Sequence, residues 1–418
     1  MSGTEIAQKP PLLATGADAR AAAELFAAEI SDGVIERDRA GAERIPAPEL
    51  AAFDASGLLG ITVPAADGGS GLGPAVLAEV VATIAAVDPA IAQGPQAHYL
   101  MSDVLAVLGN REQRGRLFGE VLQGRRIANA LAERGGSHAQ DLKTRLAGAH
   151  GADGEPDAPG RGAVTLSGRK YYATGALTAT WIAVSALDDE DRLVLVFVER
   201  DAPGVSLARD WDVMGQRATV SGSLSLDRVQ VDPGLVLPYW QAFQTPQQLG
   251  ARAQLYHAAI EVGIARGALE DARWFVTSKA RPFFEAVRGG WATNAAEDPH
   301  TIHRFGRMAT QVAAAESLLA AAAATLEQVG LVPADAEQAA RGSVAVAQAK
   351  AYAGEIAVSV ASELFSLSGA SAADERYDLS RHWRNARTHS SHDPADWKYH
   401  HAGAYLLSGT LPPNHGQL

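Results

Sequence analysis

The residues best suited to chemistry lie near the C-terminus, in the run Arg384-Asn385-Ala386-Arg387-Thr388-His389-Ser390-Ser391-His392-Asp393-Pro394-Ala395-Asp396-Trp397-Lys398. Five of the chain's 12 histidines fall between His382 and His401. Imidazole changes charge near neutral pH, so such a cluster suits the handling of protons. His389 and His392 are three apart and share a face if one helix carries both. Pro394 disfavours helix at the residue before it, so an Arg-rich helix should end near His392. Asp393-Pro394-Ala395-Asp396 then reads as a new helix start, with Asp393 as N-cap and Asp396 in the electropositive first turn. A second reading is a solvated helix end whose histidines favour the negative pole of the dipole, and spacing alone does not separate the two. A His-x-x-His metal site is a third, but no carboxylate or third histidine completes it at fixed spacing, so no metal is expected.

Composition narrows the chemistry further. The chain has 418 residues, no cysteine, four methionines and a net charge of -12. Without cysteine there is no disulfide, thiolate metal site, iron–sulfur cluster or cysteine nucleophile. The scarcity of sulfur fits either an alanine-rich coding background or a protein made when sulfur is short. The negative charge argues against nucleic acid or a polybasic membrane role. No uninterrupted apolar stretch is expected to span a bilayer, and Met1 to Pro11 has no apolar core of a secretory signal. A cytoplasmic protein is the expectation.

The elements that must position these residues follow a simple order. Residues 18–129 read as helices with short turns: Ala19–Ile35, Pro46–Ser56, Pro74–Val87 and Ala90–Leu108. His98 falls within the last, an apolar helix, as either a satisfied core residue or a functional one. Leu58–Pro64 reads as an extended apolar run. Asp67–Gly73 is a glycine-rich turn without the Gly-Lys-Ser/Thr ending of a phosphate loop. Between Arg145 and Val231, β-branched runs at Val164–Leu166, Lys170–Thr174, Trp181–Ser185, Leu193–Val198, Ser221–Leu226 and Val229–Val231 predict a small antiparallel sheet or barrel. Residues 148–160 read as a flexible hairpin tip. Gln254–Ser278, His300–Val329, Asp335–Leu367 and Asp374–Ser390 predict four long helices of a bundle. The expected domains are therefore 1–128, helical; 129–235, an antiparallel β-barrel; and 236–418, a helical bundle.

That order, with several motifs, resembles the acyl-CoA dehydrogenase superfamily over nearly the whole chain. Leu58–Pro64 with Gly68-Gly69-Ser70-Gly71-Leu72-Gly73, Gly109–Arg114, Met214-Gly215-Gln216-Arg217 and Arg384-Asn385-Ala386-Arg387 are similar to family motifs and occur in the family's order. The dehydrogenase base is missing. Removing the proton α to a thioester needs a carboxylate, and the family usually carries Glu-Gly nine residues after the first Arg of the last motif. Here that position holds Asp393-Pro394, and the family's second base position aligns with Ala253. In their place, Arg384 to Lys398 resembles the flavin monooxygenase branch of the superfamily: dibenzothiophene monooxygenases and, closer still, sulfur-acquisition oxidoreductases. Trp211–Gly222, Gly168–Gly175 and Leu407–Pro413 match the same branch.

The resemblance implies a two-component enzyme. Reduced FMN would come from a separate NAD(P)H-dependent flavin reductase, form a C4a-(hydro)peroxyflavin with O2, and oxygenate a small substrate, organosulfur compounds among them. No nicotinamide-binding Gly-rich fingerprint is visible, which fits reduction elsewhere. For catalysis the resemblance implies His392 nearest the reacting flavin atom, His389 as its helper, and His98, Asn129 and Thr174 as a polar wall. For the cofactor it implies Asn129, Ala132 and Ser137 on a first flavin-facing segment and Tyr172, Thr174 and Gly175 on a second. It further implies Arg281 offered to the phosphate of a neighbouring subunit's flavin, and a turn at Ser368, Gly369 and Ala370. A homotetramer is implied as well. Two alternatives remain open on sequence: an FAD-dependent acyl-CoA dehydrogenase with an atypical base, and a helical adaptor that keeps only the fold.

Overall fold

The computed structural model describes residues 9–136, 138, 141–148 and 164–416. Its N-terminal helices are α1 (Gly16–Ile30), α2 (Val34–Ala40), α3 (Ala47–Ala55), α4 (Pro74–Val87), α5 (Pro89–Gln93), α6 (Gln96–Leu108) and α7 (Arg111–Val121). Local chemistry sets their ends. Thr15 and Asp18 form a capping box that opens α1, and Asn110 and Gln113 form one that opens α7. The helix expected to reach residue 35 stops at Ile30, because Ser31–Gly33 tightens into a 3-10 turn. The helix expected at Ala90–Leu108 is cut at Gly94-Pro95, where proline supplies no N–H. Leu58–Pro64 is not extended: a 3-10 turn at Leu58–Gly60 and a series of bends carry its apolar side chains into the core.

Eight strands follow among the described residues: β1 (Ile127–Ala130), β2 (Arg145–Ala147), β3 (Thr165–Lys170), β4 (Trp181–Leu187), β5 (Leu193–Glu199), β6 (Val205–Leu207), β7 (Leu224–Gln230) and β8 (Val236–Leu237). They pair in the order β6-β7-β3-β2-β4-β5-β8, mostly antiparallel, and β1 joins β4 in parallel. Alternation explains the continuous apolar sequences of β4 and β5. Trp181, Ala183, Leu195 and Phe197 face a core shared with the helices, while Ile182, Val184, Val194 and Val196 face a second core made by the sheet itself. The runs expected at Val164–Leu166 and Lys170–Thr174 are replaced by the single strand β3, which ends at Lys170, since Tyr172 takes φ +59° and turns the chain. The two runs expected around residues 221–231 are the single strand β7. The hairpin tip expected at 148–160 lies outside the described residues except for Gly148.

The C-terminal part contains α8 (Leu249–Ser278), α9 (Phe284–Arg288), α10 (Pro299–Val329), α11 (Ala336–Ser368), α12 (Ser380–His389) and α13 (Ala395–Ser408). α8 is central and packs against α4, α10, α11 and α12. Gly263 and Gly267 allow α4 to lie close: a Cβ at Gly267 would sit 2.2 Å from the Ala86 carbonyl. The N-terminal and C-terminal helices therefore share one core. By length and mean composition α10 could cross a bilayer, although Thr310, Gln311, Glu316, Ser317 and Thr325 interrupt its apolar sequence. Its buried residues Met308, Val312, Ala315, Leu319, Ala322 and Leu326 recur at three- and four-residue steps, the stripe of a helix with one face on a core.

Candidate active site

The last Arg-rich motif is held by the sheet. The backbone N–H of Gln216 donates to Asn385 Oδ1 (2.5 Å), and its side-chain amide donates to Gln93 Oε1 (2.7 Å). Arg384 donates to Asp38 (2.6 Å), Asp378 (2.8 Å) and the Met214 carbonyl (3.1 Å). One arginine thus ties the N-terminal helices, the sheet and α12 together. Gly215 permits the contact, since a Cβ there would lie 1.9 Å from the Arg384 carbonyl oxygen. This fixes where α12 points, and α12 ends at His389.

His389 enters a buried polar cluster. Its Nδ1 lies 3.1 Å from Glu261 Oε1, and its Nε2 lies 3.1 Å from His257 Nδ1. Glu261 also accepts from Lys350 Nζ at 2.8 Å. The His392 N–H donates to the His389 carbonyl (3.0 Å), but no hydrogen bond or ring contact joins the two imidazoles as the helper role would suggest. The His392 ring stacks on His257, with centroids 4.1 Å apart and planes 32° apart, so His257 stands between them. Burial, joined by the neighbouring His392, His389 and Lys350, pushes the His257 ring well below its usual range. Burial also lowers His389, against the pull of Glu261. Glu261 is fully buried, yet Lys350 and His389 outweigh that and hold its carboxyl below the ordinary value.

Asp393 is neither cap nor free base. α13 starts at Ala395, Pro394 takes the cap position, and no side chain caps the helix. The Asp393 carboxylate instead lies 2.8 Å from Lys398 Nζ, 3.7 Å from Lys350 Nζ and 3.3 Å from His392 Nδ1. Burial would raise its pKa, but His392 and the two lysines drive it far below the usual carboxylate range. The His392 ring is about half exposed, at 46%, and borders a pocket of about 600 Å3 lined also by Lys350, Arg387, Asp393 and Lys398.

Sequence reasoning missed His257, Glu261 and Lys350, and gave Lys398 no partner. The signal was present in α8, where Gln254, His257 and Glu261 recur at steps of three and four on an otherwise apolar helix. Lys350 is likewise a lone charge within an apolar stretch of α11.

Of the expected flavin-facing residues, Asn129 lies on β1, and Ala132, Tyr172, Thr174 and Gly175 lie in the turns that follow β1 and β3. The Asn129 Oδ1 is buried with no hydrogen-bond partner among the described residues. Thr174 and Ser221 hydroxyls are 2.7 Å apart; Ser221 donates to Thr219 (2.8 Å), and Thr219 donates to the Gln216 carbonyl (2.9 Å). Since the Ser221 proton goes onward, Thr174 must donate to Ser221, and its two lone pairs can only accept. Tyr172 is 51% exposed and at positive φ, packed edge-on against Tyr171 and Trp211. Gly175 takes φ +71°, and a Cβ there would meet the Gly94 carbonyl at 2.7 Å. The Ala132 carbonyl accepts from the Tyr171 N–H (2.9 Å). Ser137 lies outside the described residues.

Elsewhere the expected residues separate. His98 is fully buried, with Nε2 bonded to the Leu59 carbonyl (3.0 Å) and Nδ1 accepting from the Ile127 N–H (3.3 Å). Both nitrogens serve the backbone, so His98 anchors the start of β1 and has none left for a polar wall around oxygen. Burial takes its pKa down to about 4. Ser368 closes α11 with its Oγ buried and unpartnered among the described residues. Gly369 follows at φ +70°, and Ala370 opens a 3-10 turn. Arg281 is exposed between α8 and α9 and makes no hydrogen bond or ion pair with a described residue. No cluster of histidine and carboxylate able to hold a metal occurs among the described residues.

Comparison with known proteins gives the family. Models of the acyl-CoA dehydrogenase N-terminal, middle and C-terminal domains match residues 17–125, 128–229 and 255–397. The chain is 31% identical over 397 residues to a dibenzothiophene monooxygenase of Rhodococcus erythropolis, covering 90% of each. It is 30% identical over 406 residues to the probable FMNH2-dependent monooxygenase SfnC of Pseudomonas putida, covering 94% of this chain and 96% of that one. The crystal structure of FMN-bound TdsC from Paenibacillus sp. A11-2 superposes with a TM-score of 0.87 at 28% identity, covering 96% of this chain and 100% of that one. The chain belongs to the acyl-CoA dehydrogenase superfamily, on its flavin-dependent monooxygenase branch.

Proposed function

We propose that this protein is the oxygenase of a two-component system. It takes reduced FMN from a separate NAD(P)H-dependent flavin reductase and uses O2 to oxygenate a small organosulfur compound, in the service of sulfur acquisition. The observation that carries this reading is the state of Asp393. At the position where a dehydrogenase needs a base, the carboxylate is bound by Lys398, Lys350 and His392 and has a strongly depressed pKa. A carboxylate so stabilised is a poor acceptor for a thioester α-proton. Ala253 at the other position offers no base at all. The scarcity of sulfur in the chain supports the substrate class.

When bound, reduced FMN supplies the two electrons that activate O2. The chain's residues do the rest. The buried, unpartnered Asn129 Oδ1 and Ser368 Oγ fit a polar ligand that is to be held there. The lone pairs left on Thr174 suit an N–H donor. Tyr172 and Met214, both half-exposed, provide apolar wall to exclude water. His392 donates Nδ1–H to Asp393, which leaves Nε2 to hold a proton and pass it to the oxygen atom that departs as water. Exposed Arg281 suits the phosphate of FMN in a neighbouring copy, because its planar fork matches phosphate oxygens. Exposed Phe283, Phe284 and Trp291 beside it suit a subunit interface, in keeping with a homotetramer. A cytoplasmic location fits a partner that draws on nicotinamide.

Anaerobic titration with FMN, FMNH2 and FAD tests the cofactor. Preferential binding of FMNH2 is expected. Tight FAD, with reduction of the flavin by an acyl-CoA, would overturn the reading.

A further inference from the structure

The Thr174 hydroxyl is the outer end of a ladder that runs inward through Ser221 and Thr219 to the Gln216 carbonyl. We propose that Ser221 and Thr219 are positioning residues that hold Thr174 as a pure hydrogen-bond acceptor toward flavin N5, so that the site selects reduced flavin over oxidised flavin. The inference rests on the reading that flavin binds against Thr174.

The direction of the ladder is fixed at its inner end. A carbonyl oxygen only accepts, so the Thr219 hydroxyl donates to Gln216 across 2.9 Å. That spends the Thr219 proton, and the 2.8 Å bond to Ser221 then needs Ser221 as donor. The Ser221 proton is spent in turn, and the 2.7 Å bond to Thr174 needs Thr174 as donor. The opposite order would point the Thr174 proton outward. It would also leave the Thr219 oxygen and the Gln216 carbonyl oxygen 2.9 Å apart with no proton between them. All three hydroxyl residues are buried, so a rung lost there leaves a polar group unpaired.

The inner end is itself held in place. The Gln216 carbonyl also accepts from Trp211 Nε1 (3.0 Å) and from the Thr219 N–H (3.2 Å). The Gln216 N–H donates to Asn385 Oδ1, and its side-chain amide donates to Gln93 and to the Pro89 carbonyl. The turn that carries the ladder is strained, with Gln216 at φ +52° and Val220 at φ +47°. A β-branched residue in the left-handed region is a true outlier. Such strain persists where surrounding contacts over-determine the backbone, and here it sets the Thr219 and Ser221 hydroxyls side by side.

Flavin chemistry gives this polarity its meaning. The N5 of oxidised isoalloxazine is bare and only accepts. Reduction adds a hydrogen there, and N5 becomes a donor. The carbonyls and N3–H of the ring keep their roles in both states, so they give no discrimination. A hydroxyl free to rotate would serve either form of N5, and the ladder removes that freedom. An acceptor-only Thr174 pairs with the reduced ring and opposes the oxidised one. The same polarity favours release of oxidised flavin, which a two-component cycle requires because the reductase has to receive it back.

The test is anaerobic titration of the full chain with FMN and with FMNH2, read as the ratio of the two dissociation constants. Wild type is expected to hold FMNH2 more tightly by roughly tenfold or more. Ser221→Ala frees Thr174 to donate outward, and Thr219→Val lets Ser221 turn its proton toward Thr174. Each is expected to lower the ratio by about tenfold, the worth of one such hydrogen bond, chiefly through tighter binding of FMN. Thr219→Ser keeps the hydroxyl and is expected to keep the wild-type ratio. A ratio unchanged or higher in Ser221→Ala and Thr219→Val, with both flavins weakened alike, would reduce the ladder to a structural element and overturn the proposal. So would a wild type that binds FMN as tightly as FMNH2. Tight FAD that an acyl-CoA reduces would instead defeat the oxygenase reading. In that case the same ratio, measured with FAD and FADH2, decides the ladder.

Discussion

His392 and Asp393 show how a neighbourhood, more than a residue type, decides chemistry. The aspartate keeps the charge a dehydrogenase base would need, yet Lys350 and Lys398 claim it. The half-exposed imidazole of His392 is the group we propose to handle the proton. His392→Ala is expected to lower oxygen transfer by about 10²-fold or more while FMNH2 affinity, read by anaerobic titration, stays near wild type. Lys350→Met leaves Glu261 without its cationic partner at a fully buried site and should cost about 3–5 kcal/mol in denaturant unfolding. Stability should also fall in mild acid. His98 is held at about 4 against an ordinary 6.5, so between those values the unfolded chain binds the extra proton. The sign is therefore loss of stability as pH drops from about 6.5 toward about 4, worth on the order of 3 kcal/mol from this residue alone. His257, His382 and His389 are shifted down too and act in the same sense. Melting temperature against pH, with His98→Gln as the flatter comparison, measures this. His389 and His392 were legible in sequence because they are close together along the chain. Glu261 and Lys350 were not, because their pairing crosses 89 residues of sequence.

At the level of elements, period and punctuation carried most of the information. α4 matched its sequence-based expectation, and the long helices α8, α10 and α11 were legible from continuous apolar periodicity. The failures occur where tertiary contact overrides local pattern. Leu58–Pro64 looks like a strand, since its β-branched and apolar residues suit one, but it packs as turns with no neighbouring strand. β3 stops early because Tyr172 adopts a left-handed conformation that propensity does not foresee. Asp393 looked like a cap because capping rules are local, and its actual partners come from α11 and α13. The contact between the Met214–Arg217 turn and α12 is the joint on which the site depends. Gly215→Ala would force a methyl against the Arg384 carbonyl and displace α12. Destabilisation of about 3 kcal/mol or more is expected, with weakened flavin binding even in the folded fraction.

At the scale of the molecule, one core joins the N-terminal and C-terminal helices, and the sheet adds a second. Large apolar side chains remain outside both: Phe283, Phe284 and Trp291 around α9, and Trp397, Leu406 and Leu407 on α13. Patches of this kind mark association surfaces. Light scattering should find a homotetramer, and Trp291→Glu with Phe283→Glu should yield smaller species with weaker FMNH2 binding. The central claim concerns the fate of one oxygen atom, and a single turnover with FMNH2, 18O2 and a panel of small organosulfur compounds tests it most directly. The expected result is one 18O atom in the organic product and one in water, lost in His392→Ala. Flavin oxidation that yields only hydrogen peroxide across the panel, together with oxygen-independent oxidation of an acyl-CoA, would contradict the account.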